Sequence, residues 1–261
     1  MDEIRSEAKT ELQSALTSEK KSALSKYMDI VIGDSSLWHL FKYELIVDLF
    51  GWLPGAPGYL LRKVFYPKLF KRCGRNVVFG RNVTIRHPRK ITIGDNTVID
   101  DYVVLDAKGD NNRGIELGDN VIIARNTVLS CKGGDISIGD NTNISLNCMI
   151  HSESSVRLGS NILIAAYCYI IGGGEHSFER TDIPIIQQGS ESKGIVLEDN
   201  LWLGAGVYVL DGSYIERDTV VAACAVVNRR LPAYSITAGI PARVAKKRIA
   251  PDSAGSVGNQ S

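Results

Sequence analysis

An apolar residue recurs every six positions through the middle of this chain. Each set begins beside Gly-Asp-Asn or a close variant, as in IGDN from Ile93, LGDN from Leu117 and LGSN from Leu158. Two more apolar residues follow at steps of six, which gives the triplets Ile93/Ile99/Leu105, Leu117/Ile123/Leu129, Ile138/Ile144/Ile150, Leu158/Ile164/Ile170, Leu197/Leu203/Val209 and Ile215/Val221/Val227, with Cys73/Phe79/Ile85 as a first turn. An amphipathic helix repeats about every 3.6 residues and a strand every two, so neither fits.

Three hexads make one coil of a triangular solenoid. The apolar residue of each hexad points inward, and the Gly/Asp/Asn group turns the corner, because Gly and Asn tolerate a positive φ. Equivalent inward residues stack from coil to coil into one continuous core. Cys148 and Cys168 follow Ile144 and Ile164 by four residues, and we interpret them as small packing residues. The sequence therefore predicts an all-β solenoid over residues 71–232.

The repeat breaks for longest at Gly172–Gly194. Successive coils start 18 residues apart at Leu197 and Ile215, but 39 apart at Leu158 and Leu197, which leaves 21 extra residues. Long polar loops on a rigid scaffold commonly carry function. Residues 172–194 are therefore predicted to form the catalytic loop, with His176 near its start.

Residues 1–70 are predicted to form a helical extension. Over residues 1–30, an amphipathic helix and a disordered arm remain open as alternatives. A broadly apolar helix follows, which Ser35 or Ser36 can cap, and PGAPG from Pro54 is predicted to end it. A second helical piece, YLLRKVFYPKLFKR, comes next.

The extension is both aromatic and cationic. No acidic residue occurs between Leu49 and Gly94, whereas ten basic residues do. This composition is typical of a segment on an anionic membrane surface, and residues 38–75 are the candidate contact. The extension also fits a cap over the open end of the solenoid. We favour the cap, and the two interpretations are compatible.

The remaining sequence features bear on the cellular compartment and on the C-terminal end of the solenoid. The start, MDEIRSEAKTELQ, lacks the apolar core of a signal peptide, and five cysteines show no CxxC pair, so we expect a cytoplasmic protein. The net charge of +1 indicates no particular partner, and no nucleic acid is expected. After the repeat, residues 233–250 are predicted to form a C-terminal cap and residues 251–261 a disordered tail.

Three segments together resemble the hexapeptide-repeat acyltransferases. They are GGGEHSFERTDIPII in the loop, LEDNLWLGAG after it, and the closing VVAACAVVNRRLPAYSITAGIPARVAKKR. The similarity is to the branch with galactoside, maltose and serine acetyltransferases and the surface-polysaccharide O-acetyltransferases. It implies a left-handed parallel β-helix, a homotrimer with sites between subunits, acetyl-CoA as acyl donor, a carbohydrate acceptor and no metal.

The resemblance also assigns residues, motif by motif. Contacts to CoA are implied for Trp202, Gly204, Ala205, Ala222, Ala223, Asn228, Arg229, Arg243 and Lys246. Ser145 lies where relatives place an asparagine, and Asn147 follows it by two residues, so both are candidate acceptor contacts. The remainder of the loop, including Arg180, is the predicted acceptor-reading surface. Arg230 and the sequence VAAC depart from the family's usual pattern.

Acyl transfer from a thioester to a hydroxyl needs a base, and imidazole suits this role because its pKa lies near working pH. His176 is the predicted base. Glu175 either fixes its tautomer or points to solvent. The other histidines, His39, His87 and His151, are predicted to be structural or solvated, and the zinc-binding histidine pair of related carbonic anhydrases is not found. We expect a sugar O-acetyltransferase of surface-polysaccharide synthesis; N-acylation of an amino sugar, possibly nucleotide-linked, is the alternative, and a non-catalytic scaffold is a third.

Overall fold

A computed structural model describes residues 21–248. The alternatives for the first 20 residues, and the tail at 251–261, lie outside this range. Three helices come first: α1 (Ala23–Val31), α2 (Leu37–Phe50) and α3 (Gly55–Phe65), followed by a 3-10 turn at Tyr66–Lys68. Ser36 caps α2, since its hydroxyl accepts a hydrogen bond from the His39 N–H at 3.4 Å.

The remaining chain winds into a parallel solenoid with three faces. The first face contains the strands Arg72–Cys73, Ile91–Ile93, Ile115–Leu117, Asp135–Ile138, Ser155–Leu158, Ile195–Leu197, Tyr214–Ile215 and Arg230–Leu231. The second contains Val78–Phe79, Val98–Ile99, Ile122–Ile123, Asn143–Ile144, Leu163–Ile164, Trp202–Leu203, Val220–Val221, Ser235–Ala238 and Arg243–Lys247. The third contains Thr84–Arg86, Val104–Asp106, Val128–Cys131, Met149–Ser152, Tyr169–Gly172, Tyr208–Val209 and Val226–Val227.

Each coil visits the three faces in that order. We number the edges of this prism accordingly: the first edge joins the first and second faces, the second edge joins the second and third, and the third edge returns to the first face. Ile138 pairs with Leu158, which pairs with Leu197, so equivalent positions stack in register. The predicted triplets are buried apart from Cys73, which is half-buried, and Cys148 and Cys168 are buried among them. The hexad prediction is confirmed.

Asparagine is the commonest non-glycine residue at the left-handed corners. Nine asparagines between residues 21 and 248 have a positive φ, from 54° to 60°. On the first edge, the side-chain amide of each corner asparagine donates to the next, from Asn76 through Asn96, Asn120 and Asn141 to Asn161, at 3.0–3.3 Å. The corners therefore satisfy their polar groups by stacking, which explains why short Asn-containing turns repeat.

The helices cover the open end of the first coil. The rings of Tyr66 and Phe70 lie 5.4 and 5.5 Å from that of Phe79, an inward residue of the first coil. Arg62 is buried, and its guanidinium donates to the carbonyls of Phe50, Leu53 and Phe79. The buried cation thus joins both helices to the solenoid by satisfying carbonyl groups.

Two details differ from expectation. The PGAPG segment does more than end a helix: α2 already ends at Phe50, and Pro54 is the N-cap of α3. The parallel ladder also continues past residue 232, because Ser235–Ala238 pairs with Val220–Val221 and then antiparallel with Arg243–Lys247. The predicted boundary falls inside the last, incomplete coil. Within residues 21–248, no helix is long and apolar enough to cross a membrane.

Candidate active site

The loop with His176 leaves the third edge between the fifth and sixth coils. It starts with a two-residue strand, Glu175–His176, which pairs antiparallel with Ser190–Glu191. The Ser177 N–H donates to the Gly189 carbonyl at 3.1 Å and extends this ribbon. The ribbon holds His176 on regular backbone, and its side chain is exposed. The side chain of Glu175 lies outside what the structure describes.

Glu153, one coil earlier on the same edge, anchors the start of the loop. Its Oε2 accepts a hydrogen bond from the Gly174 N–H at 2.9 Å, two residues before His176. Gly173 has a φ of 137°, and a Cβ there would come within 2.5 Å of the Glu153 Cβ. Glycine is therefore required where the loop passes over this carboxylate.

Glu153 is also the centre of a small charged cluster. Its Oε1 lies 2.8 Å from Lys132 Nζ and 3.6 Å from His151 Nε2. Burial raises the pKa of Glu153, but the hydrogen bond and charge of Lys132, together with His151 and the Gly174 N–H, lower it by more, so the net pKa lies below its usual value. Glu153 therefore stays ionised and binds the loop as a charged acceptor.

Asp211, one coil later, holds the other end of the loop. Its carboxylate accepts from the Lys193 N–H at 2.6 Å and the Gly194 N–H at 2.8 Å. Ser192 adds a hydroxyl contact to Ser154 at 2.8 Å. Both ends of the loop are thus fixed by carboxylates on neighbouring coils, and the ribbon with His176 lies between them.

The tip of the loop is closed by its own contacts. Arg180 forms an ion pair with Asp182, and its N–H donates to the Gln188 side chain at 3.0 Å. Its guanidinium is therefore already partnered, although it remains exposed at the surface. Phe178, Ile185 and Ile186 on the same tip are also exposed. The predicted acceptor surface thus combines one ion pair with three apolar side chains.

Small residues line the second edge. Gly204 and Ala205 turn from Trp202–Leu203 towards the third face, and Ala222 and Ala223 make the same turn one coil later. A Cβ on Gly204 would lie 2.6 Å from the Ala223 backbone nitrogen, so only glycine allows the coils to approach this closely. The result is a narrow strip of backbone and methyl groups beside the exposed ring of Trp202.

Ser145 and Asn147 belong to the same second edge, on the fourth coil. Ser145 donates its N–H to the Ile164 carbonyl at 2.9 Å, and Asn147 has a left-handed φ of 56°. Both are half-buried. They stand two coils before Gly204 and one edge away from the loop that carries His176.

The predicted phosphate-binding residues divide between two places. Asn228 and Arg229 follow Val226–Val227 on the third edge, and both are exposed. Arg243 and Lys246 lie on the terminal strand, paired with Ala238 and Ile236 on the second face, and both are exposed. All four are accessible to an anionic ligand near the end of the solenoid.

One chain does not bring the histidine and the small-residue strip together. The loop leaves the third edge, while Trp202, Gly204, Ala205, Ala222 and Ala223 lie on or beside the second edge. One face separates these edges, and its strands and corners of five to six residues span about 15–20 Å. Within one chain, the two sets of residues therefore lie on different edges of the prism.

Sequence reasoning missed the anchors of the loop. Glu153 and Asp211 carry no local motif, and they come together with the loop only because every insertion leaves the third edge. His151, which is expected to be structural or solvated, lies beside this corner, and its Nε2 is 3.6 Å from a carboxylate oxygen of Glu153. A signal was available in the sequence: an acidic residue follows the third-face strand both one coil before the loop and one coil after it. No group of three or more potential metal ligands occurs in residues 21–248.

Comparison with known proteins agrees with this architecture. Residues 135–171 and 189–211 match the family model described as "Hexapeptide repeat of succinyl-transferase". The chain is 33% identical over 194 residues, 72% of its own length and 86% of the relative's, to the Escherichia coli (strain K12) protein named "Putative lipopolysaccharide biosynthesis O-acetyl transferase WbbJ". The chain therefore belongs to the hexapeptide-repeat acyltransferases, and its solenoid is the left-handed parallel β-helix of that family.

Two further similarities are more limited. A Mycobacterium tuberculosis protein, "Probable acetyltransferase Rv3034c", is 32% identical over 115 residues, which span 44% of this chain but only 38% of that protein. Among solved structures, the polysialic acid O-acetyltransferase OatWY is 22% identical with a TM-score of 0.54, over 68% of this chain and 82% of that one. At this identity the second likeness concerns the fold alone.

Proposed function

We propose that this protein transfers an acetyl group from acetyl-CoA to a hydroxyl of a sugar, in the synthesis of a bacterial surface polysaccharide. The observation that carries this proposal is His176, exposed on a ribbon that two carboxylates anchor to the solenoid. Support also comes from the relative of which the chain covers 86%, whose name assigns it O-acetyl transfer in lipopolysaccharide biosynthesis.

The reaction is a direct transfer within a ternary complex. His176 takes the proton of the acceptor hydroxyl as its oxygen attacks the thioester carbonyl. The tetrahedral intermediate collapses, the C–S bond breaks, and the imidazolium returns the proton to the CoA thiolate. Such a base contributes about 10²–10⁴-fold to the rate. Backbone N–H groups near the loop are suitable donors to the developing oxyanion.

In this proposal acetyl-CoA, the acyl donor, binds along the second edge. The methyl-lined strip at Gly204 and Ala223 suits the pantetheine arm, beside the Trp202 ring. Asn228, Arg229, Arg243 and Lys246 bind the CoA phosphates, because guanidinium and ammonium groups make strong charge-assisted contacts with them. The acceptor contacts the tip of the loop, including Arg180, and the neighbouring Ser145 and Asn147.

Each site is shared between two subunits of a homotrimer in this proposal. The separation of the third edge from the second within one chain supports it, and so do the exposed Phe178, Ile185 and Ile186 on the loop. Closed rings repeat one heterologous contact, so a trimer has three such sites. A cytoplasmic location is part of the proposal, supported by five free cysteines.

The first test is His176→Ala in a free-thiol release assay. The substrates are acetyl-CoA and a panel of sugars, amino sugars, nucleotide sugars and oligosaccharides. We expect turnover to fall about 10²–10⁴-fold, with little change in CoA affinity. His39→Ala, in the helical cap, is the matched control and should keep wild-type turnover. Unchanged turnover in His176→Ala rejects the base, and acceptors limited to amino sugars reject O-acylation in favour of N-acylation.

The second test addresses the shared site. His176→Ala and Ala223→Trp, each inactive alone, are co-expressed so that subunits mix. A site is intact only when the Ala223→Trp subunit supplies its loop and the His176→Ala subunit supplies its small-residue strip. Random mixing of equal amounts therefore restores about a quarter of wild-type activity per site. Activity that stays at the level of the single variants would refute a site between subunits.

A further inference from the structure

Helix α2 is apolar on two opposite sides. Tyr43 and Ile46 are buried against the solenoid. Leu37, Phe41 and Leu45 lie on the other side, at spacings that form a single stripe along a helix, and all three are exposed. The solenoid therefore covers one side of α2 and leaves the second without a partner among the described residues.

The exposed apolar surface continues onto the next helix. The rings of Phe50 and Phe65 stack at 4.6 Å and pack α2 against α3. Leu60 and Val64 project outward from α3, and Trp52 is exposed in the turn between the two helices. We define the outer cap face as the following residues, each at least 46% exposed: Leu37, Trp38, Phe41, Leu45, Leu49, Trp52, Leu60 and Val64. Contiguous apolar surface of this kind marks a contact site for a protein or a membrane.

The charge of the cap favours one of these partners. Several basic residues of the acid-free segment have internal partners: Arg62 binds carbonyls, and Arg75, Arg81 and Arg86 pair with Asp95, Asp101 and Asp106. Lys63, Lys68, Lys71, Arg72 and Arg89 remain exposed. Lys63 lies beside Leu60 and Val64 on α3, and Lys68 stands 4.7 Å from the Phe65 ring centroid. Asp48 is exposed on the same side of α2, and Glu44, which is half-buried, accepts a hydrogen bond from the Tyr27 hydroxyl.

We propose that the outer cap face docks onto the surface of an anionic lipid bilayer. Leucine, phenylalanine and tryptophan insert to the level of the headgroups, where the amphipathic indole ring is most stable. The lysines beside them attract acidic lipids, so charge complementarity selects this partner over a neutral one. The helices are too short to span the bilayer and lie in its surface.

Docking also fixes the height of the active site, a consequence that rests on the proposed acyl transfer. The cap closes the first coil, and the loop with His176 leaves after the fifth. Four coil spacings correspond to about 19 Å along the solenoid axis. The site therefore faces water at a set distance from the lipid, which suits an acceptor sugar carried on a lipid-linked chain.

Flotation of the full-length protein with vesicles tests the docking. Vesicles of phosphatidylcholine alone are compared with vesicles that also contain about 30% phosphatidylglycerol, an anionic lipid. Acyl donor and acceptor are left out, so failure of the proposed function does not affect the result. We expect wild-type protein to float with the acidic vesicles, and the double variant Phe41→Ser/Leu45→Ser to bind at least about tenfold more weakly.

Two controls make the test specific. Ile122→Ser/Leu163→Ser removes two similarly exposed apolar side chains from the solenoid and should bind to vesicles like the wild-type protein. Lys63→Glu/Lys68→Glu should remove the preference for acidic vesicles. The proposal is overturned if wild-type protein does not float, or if both apolar double variants lose binding equally. A lower mass of Phe41→Ser/Leu45→Ser in light scattering, with wild-type thermal stability, would also overturn it by identifying the face as a contact between copies.

Discussion

Replacing Glu153 by glutamine tests whether the position of the base depends on a carboxylate outside the loop. The side chain is 18% exposed and accepts hydrogen bonds from Lys132 Nζ and the Gly174 N–H, one on each oxygen. Glutamine keeps the shape but offers a single acceptor oxygen, so one of the two donors must face an NH₂ group. At least one charge-assisted bond is lost, and the charge with it.

The size of the effect follows from that bond. A hydrogen bond to a charged group contributes about 1.5–3 kcal/mol, which corresponds to a change of about 10- to 150-fold in the population of the anchored loop. Because His176 lies two residues beyond Gly174, we expect kcat to fall by up to this factor. The KM for acetyl-CoA should change little, since the donor strip lies on another edge.

The assay is steady-state thiol release, with hydrogen exchange of the Gly174 amide as a second measurement. Glu191→Gln, in the same ribbon but exposed, is the matched control and should retain wild-type kcat and exchange. A wild-type kcat in Glu153→Gln, or protection of Gly174 that does not change, would refute the anchoring role. An equal loss of activity in Glu191→Gln would show that the effect is not specific to Glu153.

Three further predictions concern the donor site and the cap. Arg243→Ala/Lys246→Ala should weaken CoA binding about tenfold or more and flatten its salt dependence in calorimetric titrations; equal affinity would reject this phosphate contact. Gly204→Ala should destabilise the fold by about 1–3 kcal/mol in denaturant unfolding, because its Cβ would meet the Ala223 backbone at 2.6 Å; unchanged stability would show that the coils can separate. Burial lowers the pKa of His87 from 6.5, so the unfolded chain binds a proton more readily than the folded one. The free energy of unfolding should therefore fall as the pH drops below 6.5. His87→Gln should reduce this pH dependence, and a wild-type free energy of unfolding that does not change with pH would contradict the prediction.

The sequence by itself determined the solenoid, because its core repeats at a fixed interval. The inward residues, from Phe79 to Val227, are set by period six alone, and the corner asparagines follow from their tolerance of positive φ. The long insertion also located the loop and its histidine, since a break in a regular repeat is visible without any structure. Resemblance to a known family, rather than spacing, assigned the role of His176 and the candidate donor contacts.

Only the tertiary structure decided which residues meet. Glu153 and Asp211 contact the loop because stacking places residues 17–21 positions apart in the sequence directly above one another. It also placed Gly204 and His176 on different edges of the prism, which one-dimensional spacing does not reveal. The apolar pattern of α2 does not show which side of the helix is buried, since both sides are apolar. In the structure Tyr43 and Ile46 pack against the first coil, and Phe41 and Leu45 remain exposed. The spacing of apolar and corner residues determines the repeat, whereas the stacking of coils determines which residues contact one another.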